Sequence, residues 1–138
     1  MICTGFVHAR AVWVSELLED AERTAVVLVT TPEELPVSET LEAIADVDGQ
    51  GVPLAGVIAN AVFEPLFLPG DGEALAAVPA GGDAGAAAAA ARVRMARTAD
   101  EAEQLDRVRP CLAELPFLFA PHLDTAAVAG LGERLAAL

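Results

Sequence analysis

The 138 residues predict an α/β fold on a parallel sheet, built from βαβ units and interrupted by a helical insertion. Two observations lead there. The runs 25–30 (AVVLVT) and 54–60 (LAGVIAN) are short, continuous and apolar, the pattern of strands buried on both faces. Between them lies an amphipathic stretch with helix signals at its start and stop. Parallel strands joined by a helix place their binding edge at the strands' carboxyl ends, which puts Thr30, Thr31 and Asn60 on that edge.

Taken in order, Ala9, Val12, Trp13 and Leu17 recur at helical spacing, predicting a helix that ends near Asp20. The first strand follows at 25–30. Thr31, Pro32 and Glu34 form a helix start with a capping-box pattern, although Pro36 could delay the start. Val37, Leu41, Ile44 and Val47 stripe that helix, and Gly49 and Gly51 end it. The second strand runs to Asn60. From Phe63 to Ala91, proline and glycine punctuation predicts a loop with a mobile tip, most mobile over 70–85. The alanines at 86–91 open a helix reaching about Val108, with Glu103 and Arg107 as an i, i+4 pair. Residues 112–118 (LAELPFL) predict a third strand limited by Pro116. Asp124 caps a last helix carrying Val128, Leu131, Leu135 and Leu138. The whole of 1–138 reads as one domain, with 63–110 as a variable loop-and-helix insertion.

Composition removes several functions. The formal net charge is −13, so a nucleic-acid or anionic-membrane partner is not expected. Arg92, Arg94 and Arg97 cluster, but Asp100, Glu101 and Glu103 follow, and the run reads as a solvated helix face. Cys3 and Cys111 make no metal pair or disulfide scaffold. No basic-then-apolar leader opens the chain at 1–6, and no apolar run reaches the roughly 18 residues of a membrane span. A cytoplasmic location without membrane insertion is the expectation.

The chain contains no lysine. A P-loop needs a glycine-rich turn plus a lysine reaching the phosphates, and a dinucleotide fingerprint is also missing. Gly81, Gly82 and Gly85 do not follow a strand, so they make no phosphate cradle. No lysine and strand-end acidic pair of the phospho-receiver type is present. Ser15 and Ser38 fall within helices, away from any nucleophile elbow. His122 and Asp124 could hold a metal, but a loop histidine is the simpler reading. Cys111 reads as inert packing, and Glu33 and Glu34 as helix-start carboxylates. No catalytic residue or metal ligand is assigned.

The segment 27–41 (VLVTTPEELPVSETL) resembles a strand-loop-helix found late in ArsA-like ATPases, the arsenite-pump and tail-anchored-protein-targeting type. In the same order, 51–60 (GVPLAGVIAN) resembles the family's strand ending in asparagine. Residues 114–118 (ELPFL) resemble the strand entering its adenine-contacting loop, and Gly130 with Leu131 resembles the Gly-Leu of its last helix. The resemblance implies a P-loop-NTPase-like parallel sheet, ATP with magnesium, and a homodimer or a P-loop-bearing partner. It also implies that Asn60 reads the purine while Pro116, Phe117 and Leu118 line the adenine pocket. The family's P-loop half is not matched, no Cys-x-x-Cys lies between Phe63 and Arg109, and Ala129 stands where an arginine often precedes the Gly-Leu. The implied protein is therefore a C-terminal, truncated portion of an anion-transporting ATPase that is not catalytic by itself and binds ATP weakly or not at all. The alternative is an interaction module that kept the fold and lost the nucleotide chemistry, or an unrelated small α/β binding domain.

Overall fold

A computed structural model describes residues 4–136. Residues 1–3, with Cys3 and the start of the segment judged for a leader, and residues 137–138, with Leu138, lie outside them. The elements are α1 (Thr4–Glu19), β1 (Val26–Thr30), α2 (Glu34–Gly49), β2 (Leu54–Val62), α3 (Asp71–Ala76), α4 (Gly82–Val108), β3 (Ala113–Pro116) and α5 (Thr125–Ala136). The strands form one three-stranded sheet in the order β1-β2-β3, with both pairings parallel. The α/β class, the parallel sheet and the βαβ unit are as the sequence predicts.

Coverage of the sheet is not. Val27 and Val29 are 44% and 63% exposed, so β1 is covered on one face only. Residues paired across parallel strands share a face, and Leu28 with Val57, and Thr30 with Ala59, make the covered one. Helices α2 and α4 pack there, over Val57 and Ala59. The expectation of burial on both faces fails because a continuous apolar run reports only that a strand can be covered. What covers it depends on other elements. α1 forms where its periodicity places it, yet its Val12 and Trp13 are exposed.

α2 starts before Pro36, which becomes its third residue. A first-turn N–H has no helical acceptor, so the proline removes nothing there. Thr31 does not cap the helix. The Glu33 N–H instead donates to the Thr31 carbonyl, and no side chain caps the start. Val37, which faces the sheet from the next turn, is fully buried.

The stretch from Phe63 to Ala91 holds more helix than its punctuation predicts. Asp71 Oδ2 accepts from the Leu68 N–H at 2.8 Å, and this turn launches α3. α4 begins at Gly82, four residues before the alanine run. Gly81 and Gly82 take φ values of 112° and 61°, which lets the chain turn abruptly into the helix. A Cβ on Gly85 would lie 2.7 Å from the Pro79 carbonyl oxygen, so this glycine allows the turn to close against the helix. Arg107 does not pair with Glu103. It donates to Gln104 Oε1 at 2.6 Å and to Ser38 Oγ at 3.0 Å, tying α4 to α2. At the far end Asp124 Oδ1 accepts from the Ala127 N–H at 2.8 Å, the expected cap of α5.

Candidate functional site

In a parallel sheet the carboxyl ends of all strands face one way, so β1, β2 and β3 deliver Thr30, Asn60 and the segment after Pro116 to a common edge. At that edge the β2–β3 register shifts between Ala59 and Val62. Ala61 has a φ of 60°, the one positive φ among described non-glycine residues. An L-residue in this region is strained by about 1–2 kcal/mol, and such strain collects where the backbone re-aims side chains. The shift lets the Phe117 N–H donate to the Val62 carbonyl at 2.8 Å, which fastens the segment after β3 to the end of β2.

Two surfaces meet here. The first is an open hollow of about 400 Å³, lined by Thr30, Thr31, Pro36, Thr40 and Asn60 among others. Asn60 is exposed, and no hydrogen bond to another described side chain occupies its amide. Such an amide offers both a donor and an acceptor. The second surface is aromatic. Phe63 and Phe117 lie 4.6 Å apart between ring centroids, Phe117 and Phe119 4.8 Å, and Phe63 and Phe119 5.6 Å with nearly parallel planes. Phe63 is buried, Phe117 half-exposed and Phe119 74% exposed. The structure therefore places Asn60 and the 116–118 segment on one edge of the sheet. It does not place them in one hollow, since Pro116, Phe117 and Leu118 are absent from the lining that contains Asn60.

Arginines and a carboxylate from α4 frame the aromatic surface. The Arg94 guanidinium sits 3.8 Å from the Phe63 ring centroid and 5.2 Å from that of Phe119; Arg97 sits 4.4 Å from Phe63. Arg94 donates to the Glu64 carbonyl at 3.1 Å, while its Nε is buried without an acceptor. Arg97 bridges Glu101 at 3.1 Å and Glu33 at 3.4 Å. Glu101 itself is buried and accepts from the Phe63 N–H at 3.0 Å. The reading of this run as a solvated face is thus corrected: two of its arginines lie on an aromatic ring and one of its acids is in the core. A signal was available. Glu101, Leu105 and Val108 recur at i, i+4 and i+7, which places the acid on the buried stripe of α4.

The chain has no lysine; Gly85 packs against the Pro79 carbonyl, while Gly81 and Gly82 border an open hollow of about 740 Å³ that Arg92 also lines. Among the described residues no group of three or more His, Cys, Asp or Glu side chains comes together as a metal cage. His122 is exposed, and Asp124 is engaged as a helix cap. Cys111 is partly buried, and burial, reinforced by the Glu114 charge and opposed by Arg109, raises its thiol above its ordinary range. No described helix is long and apolar enough to cross a membrane.

The fold and its edge define a portion of a parallel-sheet, P-loop-NTPase-like α/β protein. Sequence comparison places that portion more closely. Residues 7–66, from α1 through the end of β2, match the anion-transporting ATPase family, so that segment is similar to a portion of an ArsA-like ATPase. Over 67 residues it is 42% identical to the ATPase BagA of Mycobacterium tuberculosis and to a Mycobacterium bovis protein also named as an ATPase. That alignment takes in 49% of this chain and 19% of each relative, so the chain spans about a fifth of the curated relatives it matches. Asn60 lies inside the family match; Pro116, Phe117 and Leu118 lie outside it.

Proposed function

We propose that this chain supplies the base-contacting edge of an ArsA-like ATPase, with Asn60 reading a purine and Pro116, Phe117 and Leu118 lining its adenine side. The observation that carries the reading is the fastening of Phe117 to Val62, two residues beyond Asn60, which joins the ends of two neighbouring parallel strands. On this reading ATP is held by its base. Phosphate and magnesium contacts come from a P-loop-bearing partner chain or half, because this sequence has no lysine and no P-loop motif to offset the charge that develops on a transferred phosphoryl group. A cytoplasmic setting accompanies it.

Titration calorimetry with the purified chain tests the proposal. Adenosine should bind weakly and about as well as ATP, and Asn60→Ala should abolish the preference for adenosine over uridine. ATP binding far more tightly than adenosine, or magnesium-dependent turnover by the chain alone, would overturn it. A second reading, an interaction module without nucleotide chemistry, is favoured by α1, whose Val12 and Trp13 are exposed. Absence of any adenosine binding, together with stoichiometric capture of a protein partner that Trp13→Ser abolishes, would select that reading.

A further inference from the structure

The insertion helix α4 reaches the carboxyl edge through one buried group. Glu101 is 4% exposed, and both its carboxylate oxygens are engaged. Oε2 accepts from the Phe63 N–H at 3.0 Å and Oε1 from Arg97 Nε at 3.1 Å. Burying a carboxylate is costly unless donors compensate it, so its place here calls for a reason. Phe63 lies just beyond the last residue of β2, where the sheet offers its N–H no further partner. A buried N–H left in that state is itself costly, and Glu101 satisfies it.

The consequence passes to the ring. With its backbone held, Phe63 is clamped between sheet and guanidinium groups, Arg94 at 3.8 Å and Arg97 at 4.4 Å. Phe117 and Phe119 stack in turn on Phe63. Phe119 is so exposed that solvent surrounds most of it. What orients it is Phe63, Phe117 and the Arg94 cation.

We infer that Glu101 is a positioning residue for the base-contacting segment, holding Phe117 and Phe119 in place through Phe63. The inference deepens the base-edge reading and rests on it for the ligand. It requires no contact between Glu101 and that ligand.

The test uses the whole chain and three readouts: NMR shifts of the Phe119 ring without ligand, adenosine affinity, and the urea midpoint. Glu101→Gln keeps an acceptor for Phe63 and loses the charge that pairs with Arg97. Its Phe119 ring signals should move toward unstacked values, and adenosine should bind about tenfold more weakly. Val37→Ala, a change in the buried core on α2, controls for lost stability alone and should leave both readouts unchanged. A folded Glu101→Gln chain with unmoved Phe119 signals would overturn the inference. If that variant does not fold, Glu101→Asp decides the matter, because it keeps the charge beside Arg97 while the shorter side chain draws the carboxylate away from the Phe63 N–H. Phe119 signals that move in it support the positioning role, and signals that stay overturn it. If the parent chain binds no adenosine, the base-edge reading fails by itself, and the ring shifts still decide what Glu101 does.

Discussion

Gly56 in β2 can be replaced by alanine to measure how tightly the second and third strands are joined. Its φ is +146°, and a Cβ there would lie 2.7 Å from Leu112 Cγ and 3.1 Å from both Leu112 methyl carbons. Two costs follow. A side chain at this φ is strained by about 1–3 kcal/mol. Leu112 must also move, but it is 38% exposed and can rotate outward, so its share is about 1 kcal/mol. The Leu112 backbone cannot follow freely, because its N–H donates to the Val57 carbonyl at 2.7 Å. Gly56→Ala should therefore cost about 3 kcal/mol, a large part of the roughly 5–15 kcal/mol typical of a domain. With a urea slope near ~1.5 kcal/mol/M, the midpoint followed by circular dichroism should fall by about 2 M. Adding Leu112→Ala removes the collision and keeps the backbone strain, so about 2 kcal/mol of the effect should persist against the Leu112→Ala background. A loss below ~0.5 kcal/mol for Gly56→Ala, or its complete disappearance in that background, would refute the assignment of the cost to backbone conformation.

Two other positions yield sharp expectations. At Ala61, with its φ of 60° beside Asn60, glycine should be neutral or raise stability by up to about 1 kcal/mol, whereas valine should lower it by more than about 1 kcal/mol; equal urea midpoints for the two variants would contradict this. Cys111, whose thiol is raised by burial and by Glu114, should be alkylated by iodoacetamide with a pH midpoint above that of the urea-unfolded chain. Glu114→Gln should move the folded midpoint down, and no shift between folded and unfolded chains would count against the burial argument.

The backbone plan was legible because local signals agreed with one another. Strand runs, a helix start at 31–34 and glycines at 49 and 51 all mark the β1–α2–β2 unit, and parallel alternation alone puts Asn60 and Phe117 on one edge. Coverage was not legible, because the exposure of Val27 and Val29 depends on elements remote in sequence. α3 was missed because its start depends on one carboxylate, Asp71, closing a turn amid residues that read as breakers. Glu101 was missed for a different reason. Its charge suggested solvent, and only the position of Leu105 and Val108 on the same stripe argues that its helix face turns inward.

The length of α4 has a mechanical consequence. At 27 residues it is a rod about 40 Å long. Its carboxyl-terminal third is held by Glu101, Leu105 and Arg107 against β2 and α2, while Gly82 lies about 22 Å beyond Arg97 toward the other end. A tilt of about 10° at the held end would sweep the Gly82 tip through roughly 4 Å. α3 packs on that outer portion, and Arg92, which donates to the Leu75 carbonyl at 2.9 Å, ties the two together, so a tilt would carry both. A small displacement of the Phe63 ring and a larger one of the α3 tip would thus be two ends of one lever, with its fulcrum at the Arg97–Glu101 pair.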